Sequence, residues 1–469
     1  MRYTYIICLL LAAAQAAPAQ AVLTLDEVFR RVRQNHPLAR QADLLPGTAA
    51  ADLLKAKGGF DPKLFGDYSS KIFSDKTYYA LGEYGAKLPT WFGLELKAGF
   101  NTATGSFLNP ESNLPSAGQA VAGFGWTLGR GLLMDERRAD LLQARAGLRL
   151  ANFEKRLILN DLHLAAAKTY WTWAVAETQL EIHRQALQRA QERLDGIRES
   201  WRQGDKPAID TLESFLLVQT RQFDLTEAQL AARNARIELN FFLWESPLEP
   251  ANQSAIWAAP AVFSFAGTST KPDVEKLEQE ILAQHPAILA TQVKLEQLTV
   301  ERRLKKENRK PQLDLNYNLL GSGWRFFPDA DSGGPTDFLG NNTKFGVQLS
   351  YPILNRKARG DLQKTDLKIE QTSVGLAQKT TEQLNKLRLY ASELETLGTQ
   401  SRLFGDMVSN YRTLLEAEQT KFRLGESSVF LLNSREQKLL EAQVKWAKVL
   451  GEYQKTAASL QWAVGKLGE

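Results

Sequence analysis

The chain contains almost no cysteine and, beyond its first residues, no long apolar segment. Cys8 is the single cysteine of 469 residues, and it lies inside an apolar run from Tyr5 to about Ala17. The rest of the chain therefore has no thiol for a disulfide or a cysteine-based metal site. No later segment approaches the roughly 18 to 20 apolar residues of a membrane-spanning helix. We expect stability to come from packing and oligomerisation alone, and any membrane crossing to be made of strands.

The first residues are typical of a secretory signal peptide. Met1 and Arg2 precede the apolar run, and small residues that suit a cleavage site follow at Ala17-Pro18-Ala19 and Ala19-Gln20-Ala21. The run is shorter than the ~20 residues that a spanning helix needs, which disfavours the alternative of a membrane anchor. The sequence predicts an exported protein that loses residues 1–21.

An excess of charge of one sign is also lacking. The chain has 58 Lys and Arg residues against 53 Asp and Glu residues, a formal net charge of +5, and the two signs are interleaved along its helical segments. This pattern is typical of a solvated helix surface rather than of a nucleic-acid-binding protein. We therefore expect no nucleic-acid partner.

Patterns of catalytic or metal chemistry are missing as well. The four histidines have no metal-ligand spacing, and His36 and His285 each precede a proline, which is typical of a helix boundary. Gly129-Arg130-Gly131 lacks the strand and helix context of a phosphate-binding loop. The sequence predicts no enzyme, no cofactor and no metal site.

Proline is absent between Pro115 and Pro207 and after Pro352. Because an interior proline costs a helix ~3 kcal/mol, these gaps mark where a continuous helix can form. We predict helices over 135–203 and 358–424, each about 100 Å long at ~1.5 Å per residue and each followed by another helical run. Within the second gap, apolar residues recur at alternating steps of three and four: Leu387, Tyr390, Leu394, Leu397, Phe404, Val408, Tyr411, Leu415 and Phe422.

The two halves of the chain repeat each other. Asn35-His36-Pro37 is echoed by Gln284-His285-Pro286 about 249 positions later, and Gly204 is echoed by Gly425 about 221 positions later. The change in spacing gives the first copy about 28 additional residues between Pro62 and Phe124, whose role the sequence does not indicate. We predict four segments, namely a signal peptide (1–21), a first repeat (22–245), a connector (246–272) and a second repeat (273–469), each repeat having a helix, membrane strands and a long helical hairpin.

Alternation of apolar and polar residues predicts strands in both repeats. It is clear at 313–319, 345–351, 94–101 and 124–128, and weaker at 63–73 and 78–88. A soluble sandwich is the alternative. The strand lengths, the long loops on one side only and the aromatic residues near the strand ends favour membrane strands instead. These aromatic residues are Tyr78, Tyr79, Trp91, Phe92, Trp324, Phe326 and Phe327.

Two membrane strands from each repeat would give four strands per chain. Four strands cannot close a barrel, and an open edge in lipid leaves backbone groups unpaired at several kcal/mol each. Three copies give twelve strands, wide enough for a channel, whereas two copies give eight, whose interior side chains fill. The arithmetic predicts a homotrimer in contact with membrane lipid.

In their order and spacing, these features resemble the TolC-type outer-membrane efflux proteins. The shared features are the duplication, the Leu23–Glu27 segment, Asn35-His36-Pro37, Asp61-Pro62, and the glycine turns at Gly204 and Gly425. The resemblance implies an α+β, mostly α fold. In it, an internally duplicated chain forms a trimeric 12-stranded transmembrane β-barrel in the outer membrane of a Gram-negative bacterium, continued by a long periplasmic α-helical barrel. It also implies a periplasmic adaptor protein and an inner-membrane pump as partners.

The resemblance extends to the turns of the two helical hairpins. In the family a glycine and a few small residues precede an aliphatic-Asp-aliphatic-Leu-acidic stretch, which Asp210 and Glu213 fit at the first turn, whereas Leu431 and Ser434 replace the carboxylates at the second. The resemblance implies a pore entrance or gate at Asp210, Glu213, Phe430 and Leu431, and adaptor contacts at Gly204, Pro207, Gly425, Ser427 and Ser428. Asp210 and Glu213 could also form an acid–base pair, but their place beside a turn favours a pore-lining or solvated role.

Two functions remain open on the sequence alone. The first is a passive exit duct that conducts the cargo of an inner-membrane pump across the periplasm and outer membrane. The second is a periplasmic adaptor, which should have a single coiled-coil hairpin, whereas this chain has two. A drug, a metal ion and a polypeptide all remain candidates for the cargo.

Overall fold

The computed structural model describes residues 22–246, 248–250, 257–266, 271–326 and 342–467. The predicted signal peptide lies outside these residues. The chain divides into two compact units. The helical unit consists of Met1–Leu44, Glu154–Pro286 and Lys379–Glu469, and the sheet unit of Leu45–Phe153 and Ala287–Gln378. Each unit therefore takes segments from both halves of the sequence.

The described residues form eight α-helices. They are α1 Leu25–Asn35, α2 Pro37–Lys57, α3 Glu136–Arg202, α4 Ala208–Asn240, α5 Val274–Gln284, α6 Pro286–Glu307, α7 Arg356–Arg423 and α8 Val429–Val464. The two longest, with 67 and 68 residues, fill the proline gaps within two residues of their predicted bounds. None of the described helices is both long and apolar enough to cross a membrane.

The repeated histidines end helices, as predicted. The backbone N–H of His36 donates to the carbonyl oxygen of Val32 at the end of α1, and that of His285 donates to Ile281 at the end of α5. Proline follows each histidine and begins the next helix, because a missing N–H costs nothing in a first helical turn. The same boundary is therefore built twice.

The core of the helical unit lies around two aromatic residues of α3. Tyr170 and Trp173 are both 1% exposed, and the Tyr170 hydroxyl donates a hydrogen bond of 2.8 Å to the Leu23 carbonyl oxygen. A second apolar cluster joins α7 to α8 through Val408 and Leu415 on one helix and Leu432, Leu439 and Ala442 on the other. None of the predicted seam residues of α7 is exposed, so the seam packs as its period indicates.

The sheet unit contains six antiparallel strands in the order β1-β2-β3-β4-β7-β8. Their bounds are β1 Lys63–Phe73, β2 Lys76–Pro89, β3 Leu94–Thr104, β4 Gln119–Gly129, β7 Gln312–Leu320 and β8 Thr343–Ser350. The short strands β5 Trp244–Ser246 and β6 Glu249–Pro250 pair separately. The expectation of two strands from each repeat is therefore wrong for the first repeat, which contributes four. Its additional residues between Pro62 and Phe124 provide one more hairpin.

The register gives this sheet one apolar and one polar face. Directly paired residues point to the same side, and one such row across β2, β3, β4, β7 and β8 consists of Leu88, Leu96, Phe124, Tyr317 and Phe345. The adjacent row points to the opposite face of the sheet. From β3 to β8 it consists of Glu95, Gly125, Asn316 and Gly346. The predicted alternation is therefore confirmed as a difference between the two faces of one sheet.

Candidate functional site

The turns of the two helical hairpins have the same backbone geometry. At the first turn, Gly204 has φ +84°, its N–H donates to the Trp201 oxygen at 3.0 Å, and the Asp205 N–H donates to the Ser200 oxygen at 2.9 Å. At the second turn, Gly425 has φ +80°. Its N–H donates to the Phe422 oxygen at 3.1 Å, and the Glu426 N–H donates to the Lys421 oxygen at 2.9 Å. This glycine-terminated pattern satisfies the last carbonyl groups of α3 and α7 and reverses the chain.

The helix that follows each turn begins differently. Pro207 precedes α4 with no capping side chain. Ser428 precedes α8, and its hydroxyl accepts a hydrogen bond of 3.2 Å from the Leu431 N–H. A serine cap satisfies one of the free N–H groups of a helix start, whereas the proline presets the backbone there. The two turns therefore present different chemistry on the same backbone.

Ser427 is held to the hairpin rather than presented freely. Its hydroxyl donates to the Glu418 carboxylate at 2.6 Å, and the Arg435 guanidinium lies 3.5 Å from the same carboxylate. The Ser427 hydrogen bond first, and the nearby Arg435 guanidinium second, lower the pKa of Glu418. The second turn is therefore fixed across α7 and α8.

The two hairpins contact each other beside their turns. The Lys206 ammonium, in the first turn, lies 4.8 Å from the centre of the Phe422 ring near the end of α7. On α4, the Glu213 carboxylate accepts a hydrogen bond of 3.3 Å from the Asn433 side-chain amide of α8. Glu213, predicted at the pore entrance, thus already has a partner within its own chain.

A buried ion cluster extends this contact. The Asn433 side-chain oxygen accepts a bond of 2.7 Å from Arg193 on α3, and Arg193 Nη2 lies 2.6 Å from Glu436 Oε2 at an angle too bent for a hydrogen bond to that oxygen. Arg189 Nε donates to the other Glu436 oxygen at 3.1 Å. Glu436 is only 2% exposed, so two arginines balance one buried carboxylate.

The remaining predicted gate residues are less constrained. The half-buried Asp210 carboxylate makes no hydrogen bond or ion pair with a residue that the structure describes. Phe430 and Leu431 are 67% and 41% exposed, although their neighbours Val429 and Leu432 are buried. These three side chains are thus available to another molecule, as a gate or an intersubunit contact requires.

The first turn also carries an exposed apolar groove. It has a volume of about 320 Å³ and lies between the end of α3 and the start of α4, with Trp201, Leu212 and Phe215 among its lining residues. All three side chains are exposed. Sequence reasoning missed this groove, because helical spacing alone did not separate these residues from core positions.

The histidines lie away from the hairpin turns. Burial lowers the pKa of His36 and His163, and burial together with Lys379, Arg156 and Lys386 lowers that of His285 to about 4. Within the part of the chain that the structure describes, no group of three or more His, Asp or Glu side chains is arranged to hold a metal ion.

Arg193, Asn433 and Glu436 are site residues that sequence reasoning missed. Arg193 contacts residues about 240 positions later in the chain, and no periodicity reports such a pairing. The one available signal was the replacement of the expected carboxylates at the second turn. An asparagine between those positions provides the hydrogen bond to Glu213 instead.

Comparison with known proteins finds the outer membrane efflux protein family, whose model matches residues 277–466. This match covers most of the second half of the chain. No curated protein matches significantly in sequence.

Solved structures match nearly the whole chain. The CmeC outer membrane channel of Campylobacter jejuni has a TM-score of 0.65 and 14% identity, covering 94% of this chain and 85% of that one. The outer membrane protein VceC of Vibrio cholerae has a TM-score of 0.67 and 14% identity, covering 95% of this chain and 97% of that one. The MtrE outer membrane channel of Neisseria gonorrhoeae has a TM-score of 0.66 and 14% identity, covering 94% of this chain and 89% of that one. Nearly the whole chain therefore has the fold of these outer membrane channels, and its residues 277–466 match the outer membrane efflux protein family.

Proposed function

We propose that this protein is the exit duct of a multipartite transport system in the outer membrane of a Gram-negative bacterium. The observation that carries the proposal is the sheet, which has one apolar face, one polar face and two unpaired edge strands. An apolar face suits lipid and a polar face suits a water-filled path. The duct supplies a passage, and an inner-membrane pump supplies the energy.

The edge strands favour assembly from several copies. Leu64 on β1 and Leu349 on β8 are 87% and 70% exposed in the single chain, and no described strand pairs with the outer side of either edge. In lipid such edges cost several kcal/mol for each unpaired group, so pairing β8 of one copy with β1 of the next is favourable.

A homotrimer is the assembly that we propose. The expected twelve strands rested on four strands per chain. If all six strands join the barrel, three copies give eighteen strands, and the diameter grows roughly in proportion to strand number. Two copies would close at twelve, so the oligomeric state decides the width of the exit.

At the turns of the helical hairpins we propose a mixed constriction. Asp210 carboxylates from three chains would attract cations, while Phe430 or Leu431 would close the pore by excluding water. Glu213 would be less free to meet a passing ion, because its carboxylate accepts a hydrogen bond from Asn433 of the same chain. Gly204, Pro207, Gly425, Ser427 and Ser428 would form the surface that meets the periplasmic adaptor.

Planar bilayer recording of the purified protein tests the duct directly. We expect long-lived conductance steps from a trimeric species in mild detergent. Protein that is inserted into the bilayer but gives no steps would contradict the proposal. Recovery of the chain in the soluble periplasmic fraction after osmotic shock would instead favour the adaptor alternative, which the fold of two hairpins and a six-stranded sheet does not support.

A further inference from the structure

One row across the polar face of the sheet is rich in lysine. The register pairs Lys63 with Lys87 and Lys87 with Lys97, and the same row continues through Gly123 and Asn318 to Lys344 on β8. We name Lys63, Lys87, Lys97 and Lys344 the lysine row. It reaches from one edge of the sheet to the other, so every strand except β4 and β7 contributes a cation.

This arrangement opposes sheet stability. Like charges directly opposite on neighbouring strands repel, and the row places three lysines side by side on β1, β2 and β3. The Phe65 ring compensates part of the repulsion, since its centre lies 5.0 Å from the Lys87 ammonium and 5.3 Å from that of Lys97. An arrangement that breaks a local rule of stability is typical of a functional surface.

The row borders a cavity of about 380 Å³. Its lining includes three lysines of the row, Glu95, two carboxamides and two glycines. At Gly125 the Asn316 side-chain oxygen lies 3.1 Å from the position that a Cβ would occupy, and at Gly346 nothing lies within 4 Å of that position. The charged and amide residues of the lining are Lys87, Lys97, Lys344, Glu95, Asn316 and Asn318.

Carboxylates on the same face neutralise only part of this charge. The Glu83 carboxylate lies 2.6 Å from the Lys97 ammonium. Glu95 is one row away, and Asp67 and Asp314 each lie four residues along their strands from the lysine row. The described residues form no ion pair with Lys63, Lys87 or Lys344.

We infer that this cavity is an oxyanion site in the exit path, which binds carboxylate or phosphate groups of the cargo as they pass through the sheet end of the duct. The inference rests on the proposed function and names the charge class that this end admits. Lysine ammonium groups and carboxamide N–H groups are the donors that such anions need.

Block of the channel by citrate, with pyrophosphate as the phosphate counterpart, tests the site. Added from the side of the sheet, either probe should reduce the single-channel current of the wild-type protein. The triple variant K87Q/K97Q/K344Q should weaken the block by about tenfold or more, because each removed charge acts on a multivalent anion at short range. K344R should retain the block.

The matched control removes a lysine from the same strand. Lys76 begins β2, eleven residues from Lys87 and thus ~36 Å along the strand, so K76Q should leave citrate block unchanged. Wild-type channels that conduct without block, or a triple variant that is blocked like the wild type, would overturn the site and leave the duct intact. If no channel forms, the duct fails. In that case, calorimetric titration of the detergent-solubilised protein with citrate still tests the anion site. Equal citrate binding by the wild type and the triple variant, or no binding by either, would overturn the site.

Discussion

Burial determines the charge of several single residues in the helical unit. His285 is 3% exposed, and its pKa of about 4 means that the folded chain holds it neutral. An unfolded histidine has a pKa near 6.5 and binds a proton more readily. The folded state is therefore favoured above pH ~6.5 and loses this advantage as the pH falls toward 4.

We predict that His285→Gln reduces the acid sensitivity of the protein. The shift corresponds to roughly 2–3 kcal/mol that the wild type loses between pH 6.5 and 4 and the variant does not. Thermal unfolding in detergent at pH 7.5 and 4.5, followed by circular dichroism, measures the difference. Asp43, whose pKa is lowered to about 2 chiefly by Arg33, loses its contribution only below this window. An unchanged pH dependence would show that His285 is not responsible.

At the proposed constriction, two substitutions should have different effects. Asp210→Asn removes a carboxylate that has no described partner, so it should lower cation selectivity and divalent-cation block, more strongly at low salt. Leu431→Ser should raise the resting conductance with little change in selectivity. Single-channel recordings measure both, with Asp205→Asn in the neighbouring turn as the charge control.

Leu431 could instead serve only as a packing residue between neighbouring helices. In that case Leu431→Ser would destabilise the trimer without opening it. That result would rule out the hydrophobic gate but leave the Asp210 effect standing.

At the scale of elements, the hairpins are coupled by a few buried polar groups. Arg193 and Arg189 on α3 reach Glu436 on α8, so the first and second hairpins of one chain are fixed to each other near their turns. Removing one member of such a buried pair leaves a charge without its counterion, which is costly.

We predict that Glu436→Ala destabilises the helical unit by about 3–5 kcal/mol, because Arg193 is then a buried cation without a carboxylate. The matched control is Glu181→Ala, which breaks an exposed pair with Arg184 and should change stability by less than about 1 kcal/mol. Urea unfolding of the two variants gives the comparison. Similar losses in both would show that the cluster contributes no more than a surface pair.

The sequence predicts these elements better than their partners. Proline gaps and heptads located α3 and α7 because both are local signals, and alternation located β7 and β8 for the same reason. β1 was harder to interpret because Phe65 lies on the otherwise polar face and interrupts the period. The pairing of Glu213 with Asn433, about 220 positions apart, depends on how the hairpins pack, and no local pattern contains that information.

At the scale of the whole molecule, the sheet ends in two edge strands, β1 and β8, whose outer sides pair with no strand that the structure describes. Cross-linking can count the copies, since Cys8, the only cysteine, lies in the predicted signal peptide and introduced thiols would then be unique. Ser69 on β1 and Gln348 on β8 lie on the polar face at opposite edges.

We predict that the double variant Ser69→Cys/Gln348→Cys, treated with a flexible bis-maleimide, forms a covalent series that ends at three chains. Pairing of β8 with β1 of the next copy brings the two thiols to one interface, whereas either single variant lacks one partner and should give no such series. Gel electrophoresis after denaturation counts the chains. A series that ends at two would indicate a twelve-stranded dimer.

The unequal edges have a genetic consequence. In the proposed trimer β1 of one copy meets β8 of the next, so the contact is head to tail and every subunit is needed to close the ring. An allele whose β1 cannot pair would leave a gap even between two sound neighbours. With equal expression of both alleles, roughly one trimer in eight would contain only sound subunits, so such an allele would be dominant over the wild type in a cell that carries both.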